Sequence, residues 1–473
     1  MVTKTRIEHD LIGDIEVPKD ALWGVHTARA VANFPITGVS IGHYRNFVRA
    51  FGLVKAAAAR ANGTTGALSK QKAEVIYQAA MDVANGLLDD QFVVDAIQGG
   101  AGTSTNMNAN EVIANRALQL MGKEFGDYDV IHPINDVNAS QSTNDVYPTA
   151  LKIALIFEIQ ELIQSLTTLE NAYRTKAREF SDVIKMGRTQ LQDAVPMTLG
   201  QTFDSYAVTT HEDIQRLTEI TKLLTEINLG GTAIGTRLNA PAEYVTEVTK
   251  ELSELTGVPL TTAENLVEAT QDTGVFVSCS SVLKRVAIKQ SKIANDLRLL
   301  SSGPRAGLNE INLPPKQAGS SIMPGKVNPV IPEVMNQIAF TVIGNDLTVS
   351  LAAEAGQLEL NAFEPVIARS LMMSIGYLRR GCITLTQNCI IGITANRELL
   401  RKTVENSIGL VTALSPKIGY EKATQVAKVA QAKGASVKDT VIELGYLTEA
   451  EFEALLGDLE ALTGPTAPTP DDI

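Results

Sequence analysis

The sequence contains few of the residue types that build metal centres and disulfide frameworks. Only three of its 473 residues are cysteine, and they are too scattered for a disulfide framework or a cysteine-ligated zinc cluster. Buried free thiols are the expectation for Cys279, Cys382 and Cys389. The five histidines are equally dispersed and show no His-x-x-x-His spacing, so the sequence indicates no metal site.

Excess positive charge and long apolar runs are also lacking. The net charge is −12 and the isoelectric point about 5.1, which excludes the basic face typical of nucleic-acid-binding proteins. No stretch approaches the roughly 20 consecutive apolar residues of a membrane span. The charged first ten residues lack the apolar core of a signal peptide. We therefore expect a cytoplasmic protein without nucleic-acid or membrane partners, in which local groups hold any anionic substrate.

Aromatic residues make up only 5% of the chain, whereas hydrophobic residues as a whole make up 44%. The core must therefore be mainly aliphatic. In residues 148–180, isoleucine and leucine recur every three or four positions, which is the period of an α-helix. Comparable stretches cover residues 198–228, 263–302, 330–356 and 365–394. Helices of this length are typical of elongated bundles, so the sequence predicts an all-α fold with a long central helix bundle.

The sequence predicts three domains. They are an N-terminal helical domain with a short hairpin, a central long-helix bundle and a small C-terminal helical domain, at residues 1–142, 143–397 and 398–473. The hairpin, near residues 6–17, is the one strand signal that we identify. In the last domain, Ser436 and Thr448 are predicted helix N-caps, and a disordered tail is expected from residue 463. Long amphipathic helices expose apolar stripes, so we expect copies of the chain to pack bundle against bundle.

Residues 319–329, Gly-Ser-Ser-Ile-Met-Pro-Gly-Lys-Val-Asn-Pro, carry the most specific signal. Their two glycines and two prolines exclude a regular helix, although helical stretches lie on both sides, so we predict a shaped loop. Its hydroxyls, backbone N–H groups, Lys326 ammonium and Asn328 carboxamide can bind a carboxylate and stabilise negative charge on it. The plain alternative is a flexible connector, which does not require this combination of side chains.

Two polar segments precede predicted helices. Residues 98–110 are rich in glycine but lack the lysine of a phosphate-binding P-loop. They predict either a neutral site for a small carboxylate or a plain turn with Thr103 or Ser104 as N-cap. Residues 140–146 supply hydrogen-bond donors with little charge, although runs of this kind are usually capped turns.

Residues 187–196, Gly-Arg-Thr-Gln-Leu-Gln-Asp-Ala-Val-Pro, form a further polar segment. Arg188 is either the partner of a substrate carboxylate or half of a structural ion pair with Asp193, and the sequence does not decide between the two. The polar segments lie far apart in the sequence and none is a complete site. A functional site therefore requires the fold to gather several of them.

Together these segments resemble the aspartase/fumarase superfamily, from about residue 17 to about residue 450. Residues 319–329 match the superfamily's signature loop. Resemblance to the aspartase branch rests on residues 187–194, 330–337 and 356–361. Gln190 stands where fumarases usually carry histidine, which argues against a fumarase without proving an aspartase.

The resemblance implies a homotetramer whose central helices form one multi-helix core, with each active site shared by three subunits. It implies reversible deamination of L-aspartate to fumarate and ammonia. Two alternatives remain open: a fumarate hydratase acting on L-malate, and a non-catalytic helical scaffold, which has no need of Ser320, Lys326 and Asn328. No cofactor is implied as required, and activation by Mg²⁺ is left open.

By the same resemblance, side chains of these segments take defined roles. Ser320 is the base that removes a proton from the carbon next to the side-chain carboxylate, and Lys326 and the loop amides favour its ionised form. Proton removal leaves an aci-carboxylate, which would be held by Thr103, Ser142, Thr143 and Ser321. The α-carboxylate would be held by Thr189, Lys326 and Asn328. The amino group would lie near Thr103, Asn144 and Gln190.

Two of the positions that depart from the family pattern bear on a binding site or on stability. Asp136 stands where relatives often carry histidine, which puts any secondary anion site in doubt. Arg237 stands where relatives usually carry glycine. If the backbone at Arg237 requires a positive φ, the arginine lowers stability; otherwise it is a surface change.

Overall fold

The computed structural model describes residues 4–464, which form two compact units. The first unit consists of Met1–Ile163, Gln215–Ala287 and Phe340–Leu378, and the second consists of Gln164–Ile214, Ile288–Ala339 and Arg379–Ile473. Helices dominate the described residues, as predicted, and the strands occur only in two-stranded pairs. The division into three domains stays a prediction.

The N-terminal elements include the predicted hairpin, which is confirmed. Strands β1 (Thr5–Asp10) and β2 (Gly13–Pro18) pair antiparallel. The helices that follow are α1 (Val25–Asn33), α2 (Arg45–Thr65), α3 (Lys70–Ala84) and α4 (Thr103–Leu120). Helix α2 ends where Gly66 takes a φ of +80°, a left-handed conformation that glycine adopts without a steric penalty.

The long helices lie close to the positions predicted from the aliphatic periodicity. In chain order the elements are α5 (Thr143–Glu179), β3 (Ile184–Thr189), β4 (Gln192–Thr198), α6 (Leu199–Leu223), β5 (Glu226–Ile227), α7 (Tyr244–Thr256), β6 (Thr261–Thr262), α8 (Leu266–Gln271), α9 (Gly274–Leu300), β7 (Ile311–Asn312), α10 (Val330–Glu354) and α11 (Glu364–Asn388). The stretch predicted at 263–302 is two helices, because the Asp272 carboxylate accepts the N–H of Gly274 and starts a new helix there.

Hairpin β3–β4 is a further strand pair, in a region where the sequence analysis identifies no strand signal. Thr189 lies opposite Gln192, which leaves Gln190 and Leu191 as a two-residue turn. Their φ angles are +53° and +64°, as a type I′ turn requires. Such turns are usually marked by Asn-Gly or Asp-Gly, and neither is present here. The hairpin is therefore hidden from sequence reasoning.

The C-terminal elements are β8 (Thr394–Ala395), α12 (Arg397–Asn406), α13 (Leu410–Ile418), α14 (Tyr420–Lys433), α15 (Val437–Glu443), α16 (Glu449–Gly457) and α17 (Leu459–Thr463). Both predicted N-caps are confirmed: Ser436 accepts the N–H of Asp439, and Thr448 forms a reciprocal capping box with Glu451. Thr463 still belongs to α17. The rest of the predicted disordered tail, residues 465–473, lies outside the described residues.

The three cysteines are buried free thiols, as predicted. Burial raises the pKa of each to about 12, so they are not reactive nucleophiles. Within residues 4–464, no helix is long and apolar enough to cross a membrane. Over the same range, no group of three or more His, Cys, Asp or Glu side chains could hold a metal ion.

Candidate active site

Thr103 is the first residue of α4, directly after a glycine that tolerates no side chain. Gly102 has a φ of +91°, and a Cβ built on it would lie 2.1 Å from Cδ2 of Tyr147. Gly102 also occupies the N-cap position, so the plain alternative, in which Thr103 or Ser104 caps the helix, is wrong. The Thr103 side chain is exposed and lies at the positive end of the α4 dipole.

Ser142 and Thr143 lie at the start of α5 with their hydroxyl oxygens already accepting hydrogen bonds. Ser142 Oγ accepts the N–H of Asn144 at 3.2 Å, and Thr143 Oγ1 accepts from Nδ2 of Asn106 at 3.1 Å. Because a hydroxyl has a single hydrogen and these contacts use its lone pairs, both O–H groups keep a hydrogen to donate elsewhere. The segment is therefore a capped turn, as the plain alternative predicted. Its two hydroxyl groups are also available as hydrogen-bond donors.

A proline in the second turn of α5 helps to fix Asn144. Pro148 has no N–H with which to bond the carbonyl of Asn144, and that carbonyl instead accepts from Nδ2 of Asn228 at 3.0 Å. Nδ2 of Asn144 in turn donates to the carbonyl of Ala233 at 2.7 Å. Asn144 is therefore held at both its backbone and its side chain by residues 228–233.

The side chain of Asp145 binds the backbone on both sides of this contact. Its buried carboxylate accepts the N–H groups of Ser142, Gly230 and Thr232 at 2.9–3.0 Å. Burial raises the pKa of Asp145 to about 6 despite these donors. The sequence places Asp145 three residues after Ser142, a recognisable capping spacing, but gives no sign of the distant donors.

A buried lysine supports the loop before α5. Nζ of Lys55 donates to Oδ1 of Asn138 at 2.9 Å and to Oε1 of Gln141 at 3.0 Å. Oδ1 of Asn138 also accepts from Asn106, the residue that donates to Thr143. Burial lowers the pKa of Lys55 to about 7. Sequence reasoning missed this network, because Lys55 lies within a helix of unremarkable composition.

The turn of hairpin β3–β4 exposes Thr189 and Gln190. A non-glycine residue in the left-handed region costs about 1–2 kcal/mol, and strain of this kind is concentrated at functional sites. Of the two alternatives for Arg188, the ion pair with Asp193 does not form. Nη1 of Arg188 lies 2.5 Å from Oε1 of Glu310, while Asp193 accepts from Oγ of Ser407 at 2.7 Å.

Within residues 319–329, two backbone N–H groups point at one serine oxygen. Oγ of Ser320 accepts from Ile322 N at 3.2 Å and from Met323 N at 3.0 Å. Hydrogen bonds to an oxygen favour its ionised form. The two N–H groups therefore favour negative charge on Oγ of Ser320.

The ends of this loop are tied together. Gly319 N donates to the carbonyl of Lys326 at 2.7 Å, and Nδ2 of Asn328 donates to the carbonyl of Gly319 at 2.7 Å. A Cβ on Gly319 would lie 2.6 Å from the Lys326 carbonyl oxygen, so only glycine permits this closure. Ser321 and Lys326 are exposed on the closed loop, which confirms a shaped loop rather than a connector.

The two departures from the family pattern have structural consequences. The Asp136 carboxylate pairs with Nζ of Lys72 at 2.8 Å and accepts the N–H of His132. Arg237 is exposed and has a φ of +62°, so the arginine occupies a backbone conformation that favours glycine.

The predicted site residues fall into two groups. The first unit holds Thr103, Ser142, Thr143 and Asn144. The second unit holds Thr189, Gln190, Ser320, Ser321, Lys326 and Asn328. Those of the first unit lie at helix starts, and those of the second unit lie on or beside a hairpin turn and on a closed loop.

Comparison with known proteins finds one family over nearly the whole chain. A family model described as Lyase matches residues 13–344, and one described as Fumarase C C-terminus matches residues 410–464. The chain is 56% identical to an aspartate ammonia-lyase of Pseudomonas aeruginosa, over 96% of each chain. It is 52% identical to an aspartate ammonia-lyase of Escherichia coli, over 96% of this chain and 95% of the relative.

Solved structures agree with the sequence relatives. The fold is similar to that of a fumarate lyase:delta crystallin from Brucella melitensis bound to cobalt, with a TM-score of 0.94 and 53% identity, over 97% of this chain and 99% of that chain. It is also similar to a class II fumarase from Schistosoma mansoni, with a TM-score of 0.89 and 32% identity, over the same shares. These matches confirm the predicted all-α fold.

Proposed function

The chain belongs to the aspartase/fumarase superfamily, and on this premise we propose how its own residues carry out the reaction. That reaction is the deamination of L-aspartate to fumarate and ammonia, because aspartate ammonia-lyases 52–56% identical to the chain match nearly its full length. L-Malate is not favoured as the substrate, and Gln190 stands where fumarases usually carry histidine. The observation that carries the residue assignment is the pair of N–H donors on Oγ of Ser320.

Ser320 removes the proton from the carbon next to the side-chain carboxylate. A serine hydroxyl is a weak base unless its alkoxide is stabilised. The N–H groups of Ile322 and Met323 supply that stabilisation, and the Lys326 ammonium on the same loop adds positive charge. The negative charge then moves from the alkoxide to the substrate carbanion, and Ser320 is left neutral.

The carbanion is stabilised as an aci-carboxylate by hydroxyl donors. In Ser142 and Thr143, the oxygen lone pairs accept from the protein, so each O–H is oriented to donate to the substrate. Thr103 and Ser321, both exposed, complete the set. Donors fixed before the reaction act most strongly where charge develops, which is on this carboxylate in the transition state.

The remaining polar groups orient the substrate. Thr189, Lys326 and Asn328 hold the α-carboxylate; Nδ2 of Asn328 donates one hydrogen to Gly319 and has a second for the substrate. Asn144 and Gln190 lie near the leaving amino group, together with Thr103.

A homotetramer with active sites shared by three subunits is part of the proposal. Helix α10 supports it, because Phe340, Ile343, Leu347 and Leu351 recur on one face and are 38–65% exposed in the single chain. A contiguous apolar face of this kind marks a protein interface, and a second copy of the chain is the occupant we propose. A cytoplasmic location, no required cofactor and activation by Mg²⁺ stay predictions.

Replacement of Ser320 tests the mechanism. Ser320→Ala is expected to lower kcat by about 10²–10⁴-fold, the usual contribution of a general base. The inhibition constant of succinate, a dicarboxylate without the amino group, should change by less than about threefold, because the binding groups remain. Ser181→Ala, at an exposed helix end whose hydroxyl bonds only within its own turn, is the matched control and should behave as wild type. Turnover retained in Ser320→Ala would remove Ser320 as the base.

A further inference from the structure

A buried carboxamide holds the backbone of Asn144, the residue that the proposed function places near the leaving amino group. Asn228 is only 1% exposed, and its Nδ2 donates to the carbonyl of Asn144 at 3.0 Å. The N–H that would normally reach this carbonyl within the helix is missing, because Pro148 stands four residues later. Asn228 therefore satisfies a carbonyl that the helix itself cannot pair.

A threonine of α8 fixes the orientation of the Asn228 carboxamide. The Thr270 hydroxyl donates to the carbonyl of Leu266 at 2.7 Å, so its only hydrogen is used and its oxygen can only accept. Nδ2 of Asn228 donates to that oxygen at 3.2 Å. Both hydrogens of Nδ2 are thus used, one by Thr270 and one by Asn144. The amide cannot reverse without losing both hydrogen bonds.

A second contact orients the side chain of Asn144, whose Nδ2 donates to the carbonyl of Ala233 at 2.7 Å. The residue before Ala233 is strained: Thr232 is buried and β-branched, yet its φ is +60°. Its N–H donates to Asp145 at 2.9 Å. Strain of this kind persists only where neighbouring contacts hold it, and it clusters at functional sites. The Ala233 carbonyl is therefore a fixed acceptor for Asn144.

These contacts determine which atom of the Asn144 side chain is available to the substrate. Among the described residues, the side-chain hydrogen bonds of Asn144 involve Nδ2, and none involves Oδ1. Oδ1 is an acceptor, and an ammonium group carries donors and no acceptor. A carboxylate carries only acceptors. Oδ1 of Asn144 therefore matches the amino group of L-aspartate and neither of its carboxylates.

We infer that Asn228 is a positioning residue for the leaving amino group: by holding the backbone of Asn144, it presents Oδ1 of Asn144 to that group as an acceptor. The inference rests on the proposed function, which places Asn144 near the amino group. All of these contacts lie within the first unit of one chain. A ligand without an amino group makes no use of Oδ1, so loss of the Asn228 contact should weaken the binding of ammonium and spare that of a plain dicarboxylate.

Asn228→Asp tests this inference in the reverse reaction, in which ammonia adds to fumarate. The carboxylate keeps the shape of the carboxamide, but it has no hydrogen to donate and it repels the Asn144 carbonyl. We expect KM for ammonium at saturating fumarate to rise about tenfold or more, since displacements of about 1 Å can cost up to about 10²-fold. The inhibition constant of succinate should change by less than about threefold, because Asn106 holds the Thr143 hydroxyl independently.

Asn115→Asp is the matched control. Asn115 is buried in the same unit, and its Nδ2 likewise donates to a carbonyl, that of Leu22 at 2.7 Å, and to a hydroxyl, that of Tyr128 at 3.2 Å. Its Oδ1 accepts the N–H of Gly126 at 2.8 Å, so its hydrogen bonds reach none of the proposed substrate groups. The variant should have a lower thermal midpoint and an unchanged KM for ammonium.

Thr270→Val is a milder second variant. It nearly keeps the shape of the side chain but removes the oxygen that fixes the Asn228 carboxamide. KM for ammonium should rise by about two- to tenfold, the usual worth of one hydrogen bond. If Asn228→Asp does not fold, a wild-type KM for ammonium in Thr270→Val overturns the inference.

The outcomes separate this inference from the proposed function. Wild-type protein that neither forms fumarate from L-aspartate nor consumes it with ammonium would overturn both. An active wild type, together with a folded Asn228→Asp variant of unchanged KM for ammonium, would show a purely structural role and overturn the inference alone. An equal rise in KM for ammonium and in the inhibition constant of succinate would also overturn it, because Asn228 would then support the whole site rather than the ligand of the amino group.

Discussion

Gly102→Ala tests whether the geometry before α4 positions Thr103. The added methyl group meets two obstacles: a φ of +91°, and Cδ2 of Tyr147 only 2.1 Å from the new Cβ. The left-handed backbone costs about 1–2 kcal/mol, and forcing a methyl into packed atoms costs about 1–3 kcal/mol. The reduced freedom of the unfolded chain returns about 0.4–1 kcal/mol. A net loss of about 1–4.6 kcal/mol in the free energy of unfolding follows.

The control is Gly122→Ala, just beyond the other end of α4. Gly122 has a φ of +71°, but a Cβ on it meets no atom within 4 Å, so it isolates the backbone strain from the clash. We expect it to lose about 0–1.6 kcal/mol, which is less than Gly102→Ala because the clash is missing. The two variants are compared by urea unfolding and by initial rates with L-aspartate.

Activity provides the second measurement. Thr103 directly follows Gly102, so the shift that relieves the clash should displace its hydroxyl and lower kcat/KM by about 10–100-fold. Gly122→Ala should keep wild-type kcat/KM. Equal losses of stability in the two variants, or wild-type activity in Gly102→Ala, would refute the positioning of Thr103 by this packing.

Three further predictions follow from the structure. Lys326→Ala should raise KM for L-aspartate by about 10–100-fold, the value of a lost charge-assisted hydrogen bond, and an unchanged KM would contradict its role. Arg237→Gly should raise the free energy of unfolding by about 0.5–1 kcal/mol, because strain at φ +62° is relieved; urea midpoints measure this. Burial lowers the pKa of Lys55 to about 7 in the folded state, from about 10.5 in the unfolded chain. Between these pH values the unfolded state binds the additional proton, so the free energy of unfolding of the wild type rises by up to about 1.4 kcal/mol per pH unit. Lys55→Met should lack this rise, and urea unfolding at several pH values measures it.

The helices could be predicted from the sequence because their signal is local. Aliphatic residues at spacings of three and four place the long helices to within six residues at each end, although the stretch predicted at 263–302 is two helices. At the start of α5, Pro148 lies inside the helix rather than before it. The hairpin at residues 184–198 could not be predicted, since its turn uses Gln190 and Leu191 in place of the usual glycine and asparagine.

The candidate site could likewise be predicted only in part from the sequence. Ser320 and its loop were accessible to sequence reasoning, because glycine, proline, hydroxyl and amide residues occur together within eleven positions. The side chains that fix these segments could not be predicted. Lys55, Asp145 and Glu310 bind residues that lie between 83 and 122 positions away in the sequence. Such contacts depend on the tertiary fold, and a single charged residue in a sequence does not reveal its partner.

The most direct test of the account is the formation of fumarate by the purified protein, followed by ultraviolet absorbance with L-aspartate and L-malate in separate reactions. The account predicts fumarate from L-aspartate alone, with release of ammonia in equal amount. Fumarate from L-malate alone would contradict it, because the groups around Gln190 would then serve the loss of water rather than of ammonia.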